Sequence, residues 1–278
     1  MFKNVRAKKS LGQNFLINKS KLRKITDALE LKKGDTIIEI GPGHGELTSE
    51  IISELDNLEI RNFRIICIEK DNELAEVLKE KFSKDKNIEI TEGDALKVLP
   101  VLSGGFKFQA SSFKIAGNIP YYITGYLLRI ISELEKKPEI TVLTIQKEVA
   151  QRICALRQAQ GKPKMNLLAA SVQFWAKPKI IGYISKKDFR PMPKVDSAII
   201  RLKATSNKQQ IKSENYYKLV KILFKQPRKT ILNNFCGAKN IDSDKCRKNL
   251  LKVGINPSDR PQNLAIKQLK ELSGYDTI

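Results

Sequence analysis

The chain has 278 residues, 41% hydrophobic and 29% charged, with a formal charge of +21, four cysteines and one histidine. That length accommodates one ordinary domain plus a smaller appendage, each with a real core. No run approaches the roughly 18 to 20 apolar residues of a membrane helix, and none follows the basic start MFKNVRAKKS, so a soluble cytoplasmic protein is expected. The cysteines at 67, 154, 236 and 246 lie too far apart for a zinc knuckle, so buried thiols and no metal are expected.

The charge is uneven along the chain. Residues 1–33 hold ten Lys/Arg against two Asp/Glu, residues 34–204 hold 26 against 22, and residues 205–278 hold fifteen against six. A nearly balanced centre between basic ends is the pattern of an enzyme that acts on a polyanion, because Lys and Arg displace counterions from a phosphate backbone.

From residue 35, short runs rich in Ile and Val at 36–40, 64–69, 88–91, 113–116 and 140–146 read as buried parallel strands. Between them, 46–55, 73–82 and 126–134 space apolar residues three and four apart, as helices lying on a sheet do. The alternation predicts a doubly wound α/β domain, completed by strands at 179–184 and 198–202. After the polar segment 204–212 the period becomes purely helical, over 216–224, 228–235, 243–253 and 263–272. The expected division is therefore 1–204, with a basic N-terminal arm, and a helical 205–278.

Three strand ends carry polar chemistry. The first is followed by Gly41, Pro42, Gly43, His44 and Gly45, a turn that lets the backbone approach a ligand closely and leads into a helix N-terminus with free amides. Glu69 ends the second strand, where a ribose diol needs a carboxylate acceptor, and Asp94 follows the third, where it could accept from an adenine amine. Two acids at this spacing favour S-adenosyl-L-methionine over a nicotinamide cofactor. The lone histidine, His44, reads as a loop residue and not as a base.

The fourth strand runs into Asn118, Ile119, Pro120 and Tyr121. An adenine exocyclic amine is a poor nucleophile, since its lone pair is delocalised into the ring. The Asn118 amide oxygen and the Ile119 carbonyl, held open by Pro120, can accept both N–H bonds and draw the nitrogen towards a tetrahedral geometry. Tyr121 can stack on the base, and Phe189, before the prolines at 191 and 193, is a candidate for its other face.

These residues sit in an ordered series: LGQNFL at 11–16, EIGPGHGELT at 39–48, IEKD at 68–71, GDAL at 93–96, NIPYYIT at 118–124, FRPMPKVDSAIIRL at 189–202 and RKTILNN at 228–234. The series resembles the ribosomal RNA adenine dimethyltransferases, and within them the small-subunit branch. The resemblance implies a Rossmann-like class I methyltransferase domain with a seven-stranded, mainly parallel sheet, followed by a small all-helical RNA-binding domain. It adds Asn14 and Leu16 to Gly41, Gly43, Glu69, Asp94 and Asn118 around the cofactor. The implied reaction is dimethylation of two adjacent adenosines in a hairpin loop near the 3′ end of small-subunit ribosomal RNA, with the immature small subunit as partner and the enzyme a monomer. Tyr122 departs from the family pattern, where Asn is usual, and Pro227 stands where a basic residue is common. The alternatives are a large-subunit adenine methyltransferase of the macrolide-resistance type, a non-catalytic ribosome assembly factor and a small-molecule methyltransferase.

Overall fold

The computed structural model describes residues 5–104, 112–155, 164–205, 213–237 and 242–274. The first four residues of the basic start and most of the polar segment 204–212 lie outside them. The chain divides into two compact units, 1–150 with 178–204, and 151–177 with 205–278. Residues 151–177, which the sequence pattern assigns to the first domain, group with the helical unit.

The first unit opens with the short strand β1 (Phe15–Leu16) and helix α1 (Lys19–Ala28). It continues with β2 (Thr36–Ile40), α2 (Glu46–Asn57), β3 (Arg64–Glu69), α3 (Asn72–Lys81), β4 (Ile88–Glu92), α4 (Ala95–Gly104), β5 (Phe113–Asn118), α5 (Thr124–Glu133) and β6 (Ile140–Gln146). Helix α6 (Lys147–Ile153) crosses the division at residue 150, and after α7 (Leu167–Gln173) of the second unit come β7 (Ala176–Ile184), β8 (Phe189–Arg190) and β9 (Ser197–Ala204). Seven strands form one sheet in the order β4-β3-β2-β5-β6-β9-β7. The neighbours from β4 to β6 are parallel, and β9 runs antiparallel to β6. This is a Rossmann-like methyltransferase fold.

The central strands are apolar along their whole length because both faces are covered; every residue of β2 is buried. Ile25 and Leu29 near α1, Ile51 and Leu55 of α2, and Ile37, Ile65 and Val142 of the sheet pack in one cluster. Each such aliphatic side chain contributes about 1.5–3 kcal/mol by leaving water. Local signals start the helices: Asn18 accepts from the Lys21 amide at 3.3 Å, and Asp71 from the Glu73 amide at 3.1 Å. Gly45, at φ 81°, turns the chain into α2.

Helices α1 and α4, like α6, escape the sequence reading. Helix α1 lies in the Lys-rich stretch read as an arm, and only its apolar face, Leu22, Ile25 and Ala28, enters the core. Helix α4 carries Pro100 in its interior, which breaks the helical signal. The ribbon of β1 with β8 pairs Leu16 with Phe189 across 173 positions of sequence, too short and too distant for periodicity to reveal.

The second unit contains α7, α8 (Ser213–Leu223), α9 (Ile231–Gly237), α10 (Ser243–Lys252) and α11 (Ile266–Ser273). Phe174 stacks on Tyr216 with ring centroids 4.1 Å apart, and the buried Tyr216 hydroxyl donates to the Ala170 carbonyl at 2.9 Å. Those contacts explain why residues after α6 belong here. Cys236 and Cys246 lie side by side in this unit, and burial pushes the Cys236 thiol up to about 12.

Candidate active site

Strand β2 sits between β3 and β5, and the connections from these strands run in opposite directions across the sheet. A doubly wound sheet opens a crevice at such a point, beyond the carboxyl ends of the strands. An open cleft of about 990 Å³ lies there in the first unit. Asn14, Leu16, Gly41, Gly43, Glu69, Asp94, Asn118, Ile119, Pro120, Tyr121 and Phe189 all line it.

Glu69 is 5% exposed at the end of β3. One carboxylate oxygen accepts from the Gly43 amide at 3.1 Å, and the other from the Asp71 amide at 2.9 Å. Burial raises its proton affinity above the usual carboxylate range, and the amides of Asp71 and Gly43 oppose that rise. Each oxygen keeps acceptor capacity towards the cleft. Gly43, at φ 62°, has no room for a side chain: a Cβ there would sit 2.8 Å from the Phe15 ring. That ring also packs on His44, with centroids 4.4 Å apart, which makes the histidine a packing partner of the N-terminal segment.

Asp94 is engaged on both oxygens, by the Leu96 amide at 3.0 Å and the Lys70 ammonium at 2.8 Å. Burial pushes its carboxyl up, but Lys70 and the Leu96 amide outweigh burial and hold it below the ordinary range. Nothing in the sequence spacing singles out Lys70 as its partner.

Asn118 closes β5. Its side-chain nitrogen donates to the Asn14 carbonyl at 2.8 Å, so its amide oxygen is the group left to accept from a ligand. Ile119 is 2% exposed, and the Ile123 amide donates to the Pro120 carbonyl at 3.2 Å, closing the turn after the tetrapeptide. The Tyr121 hydroxyl pairs with the buried Ser197 hydroxyl at 2.7 Å, and burial raises its proton affinity, so the ring is held in place and neutral. Phe189 is 1% exposed and packed in the core cluster with Leu16 and Leu22.

Sequence reasoning passes over two further parts of the site. Glu39, 1% exposed under the glycine turn, lines the cleft and accepts from the Thr48 hydroxyl at 2.7 Å. Burial pushes its carboxyl up to about 7, and the charges of Glu46 and Glu69 add to the rise, against the Thr48 hydrogen bond. The second is Asp71, which ties down residues 8–13: it accepts from Lys8 at 2.7 Å and from Gln13 at 3.0 Å. The cap position before α3 marks Asp71 in the sequence, but its partners lie 58 and 63 residues away. Among the described residues, no helix is long and apolar enough to cross a membrane, and no group of three His, Cys, Asp or Glu could hold a metal ion.

Known proteins resemble this chain in sequence and fold. A chain named Ribosomal RNA small subunit methyltransferase A, from Dehalococcoides mccartyi, is 36% identical over 270 residues, covering 96% of this chain and 88% of that protein. The crystal structure of a dimethyladenosine transferase from Plasmodium falciparum superposes with a TM-score of 0.72 at 25% identity, covering 93% of this chain and 95% of that one. The 23S rRNA methyltransferase ErmE shares the fold, with a TM-score of 0.71 at 23% identity over 93% of this chain and 98% of its own. The family model of ribosomal RNA adenine dimethylases matches residues 4–275, and the chain belongs to that family.

Proposed function

We propose that this protein transfers methyl groups from S-adenosyl-L-methionine to the exocyclic amines of two adjacent adenosines in a hairpin loop near the 3′ end of small-subunit ribosomal RNA. The observation that carries the reading is the tie from the Asn118 side-chain nitrogen to the Asn14 carbonyl, which reserves the Asn118 oxygen for an incoming donor.

The residues of the cleft fit the cofactor. Glu69 keeps acceptor capacity for a ribose diol, Gly41 leaves an open face, with the Asn118 carbonyl 4.0 Å from where a Cβ would sit, and Asp94 with Asn14 and Leu16 completes the wall. When bound, the cofactor supplies a methyl group already activated on a sulfonium, so no metal is required.

The chain's own task is positioning. Asn118 Oδ1 and the Ile119 carbonyl accept the two N–H bonds of the amine and localise its lone pair. The ring of Tyr121, anchored through Ser197, supports one face of the base. Phe189, buried at the wall of the same cleft, is the candidate for the other face. Holding the amine at this point supplies most of the acceleration, because orientation replaces a diffusive encounter.

The relative from Dehalococcoides mccartyi, named for the small subunit, supports that target and the immature small subunit as partner. The basic ends of the chain suit a large RNA, and a monomer acting in the cytoplasm fits this task. Incubation with labelled cofactor and unmodified small subunits, followed by mapping of the labelled nucleotide, tests the proposal. Dimethyladenosine at two adjacent positions near the 3′ end is expected. In a parallel incubation with unmodified large-subunit RNA, label there and none in the small subunit would move the protein to the macrolide-resistance type, and no label in either would leave an assembly factor.

A further inference from the structure

Beside the target turn, two large aromatic side chains face solvent. Tyr122 is 56% exposed and Tyr126 is 66% exposed, far more than a tyrosine needs to place its hydroxyl in water. They stand four residues apart where the 3-10 turn Tyr121–Ile123 runs into α5, a spacing that puts side chains on neighbouring parts of one helical surface. Tyr122 is also part of the cleft wall, next to Tyr121, and its ring lies against Gly12, where a Cβ would come within 3.2 Å. The pair therefore leads outward from the site of the target base.

Cations lie in the same region, each paired with a carboxylate: Lys70, with a side chain 52% exposed, lines the cleft with Tyr122 and pairs with Asp94 at 2.8 Å, and Arg129, 65% exposed and three residues beyond Tyr126 on α5, pairs with Glu133 at 2.9 Å. Exposed aromatics interleaved with Lys and Arg are the composition of a single-stranded nucleic acid track, in which rings stack on bases and cations follow the backbone. Continuity with the cleft, which Tyr122 lines beside Tyr121, puts the strand that carries the target base on this surface.

We propose that Tyr122 and Tyr126 form a stacking step for the unpaired nucleotide next to the target adenosine, which sets the register of the strand at Asn118. This rests on the function proposed above. The pair holds a neighbouring base, while Tyr121 and Asn118 hold the reacting one.

The test uses the full chain with two substrates: unmodified small ribosomal subunits for turnover, and an RNA hairpin carrying 2-aminopurine at each loop position in turn for stacking. The parent protein is expected to quench the probe at a position adjacent to the methylated one. Tyr122→Leu and Tyr126→Leu should remove that quenching and raise KM for the subunits about tenfold each, within the range for loss of one base stack. Tyr122→Phe and Tyr126→Phe, which keep the ring and remove only the hydroxyl, should hold both readouts at the parental level, and the quenching reports stacking directly, which a purely steric role would not produce. Quenching and KM unchanged in both leucine variants would overturn the stacking step and leave the rings to a protein contact. If the parent itself transfers no methyl group to the subunits, the functional reading fails first and the stacking step falls with it; that outcome is visible before any substitution.

Discussion

Strand β5 carries two polar side chains four residues apart that meet opposite fates. Lys114, at the start of the strand, is fully buried and partnered within the protein: its ammonium donates to Asp35 at 2.6 Å and to the Glu30 carbonyl at 2.5 Å. Around it, Glu30 accepts from Arg201 at 2.5 Å and Lys203 at 3.0 Å, and these partners hold its carboxyl low, the Lys203 hydrogen bond foremost. Asn118, at the other end, spends its nitrogen on Asn14 and keeps its oxygen for the cleft. One end of the sheet uses polar groups to complete the protein, and the other holds acceptors in reserve. The proposed chemistry falls where hydrogen-bonding capacity is positioned but unspent.

Breaking the internally paired end should cost stability and spare chemistry. Lys114→Ala leaves Asp35, 4% exposed, without its cation, and should lower the unfolding free energy by about 3–5 kcal/mol. Urea unfolding measures this, and turnover per folded molecule should stay at the parental value. A loss below about 1 kcal/mol would mean that the pair is not desolvated as the structure has it.

Breaking the reserved end should do the reverse. Asn118→Ala removes an acceptor from the developing charge and should lower kcat for methyl transfer by about 10²–10³-fold, the range for one preorganised hydrogen bond. Cofactor binding should remain measurable by calorimetry. Unchanged turnover would remove Asn118 from the reaction.

Glu39 tests the boundary between the two regimes, since it is buried like Lys114 yet lines the cleft like Asn118. Its carboxyl is raised in the folded state to about 7, so between its ordinary value of 4.5 and 7 the folded chain binds more protons than the unfolded one. That contribution favours folding at low pH and is lost as pH rises through the window. Glu39→Gln, which keeps an acceptor for Thr48, should flatten the profile and gain up to about 3 kcal/mol over the parent at pH 8, with little change at pH 4. Parallel profiles for the two proteins would show that Glu39 is hydrated in solution.

The strands at 36–40, 64–69 and 140–146 were legible to the residue, because strands buried on both faces are continuous aliphatic runs bounded by polar turns. The cleft residues were legible for a related reason: Gly43, Glu69, Asp94 and Asn118 each stand at a strand end, where a break in the aliphatic run is conspicuous. Where charge or proline diluted the signal, as in α1 and α4, composition concealed helices that burial sustains. The sequence by itself thus determined the alternation of strand and helix and the residue types at the strand ends, since both are local consequences of which faces leave water.

Only the tertiary structure decided how those residues are partnered. It set Asn118 against a carbonyl 104 residues away, Tyr121 against a hydroxyl 76 away, Lys70 on Asp94, and Asp71 on Lys8 and Gln13. A hydrogen bond between distant segments is satisfied by position in space and leaves no period in the chain. The same reason hid the assignment of residues 151–177 to the helical unit, where Phe174 and Ala170 meet Tyr216. Spacing records what the backbone imposes on its neighbours; packing alone records which distant side chain completes a site.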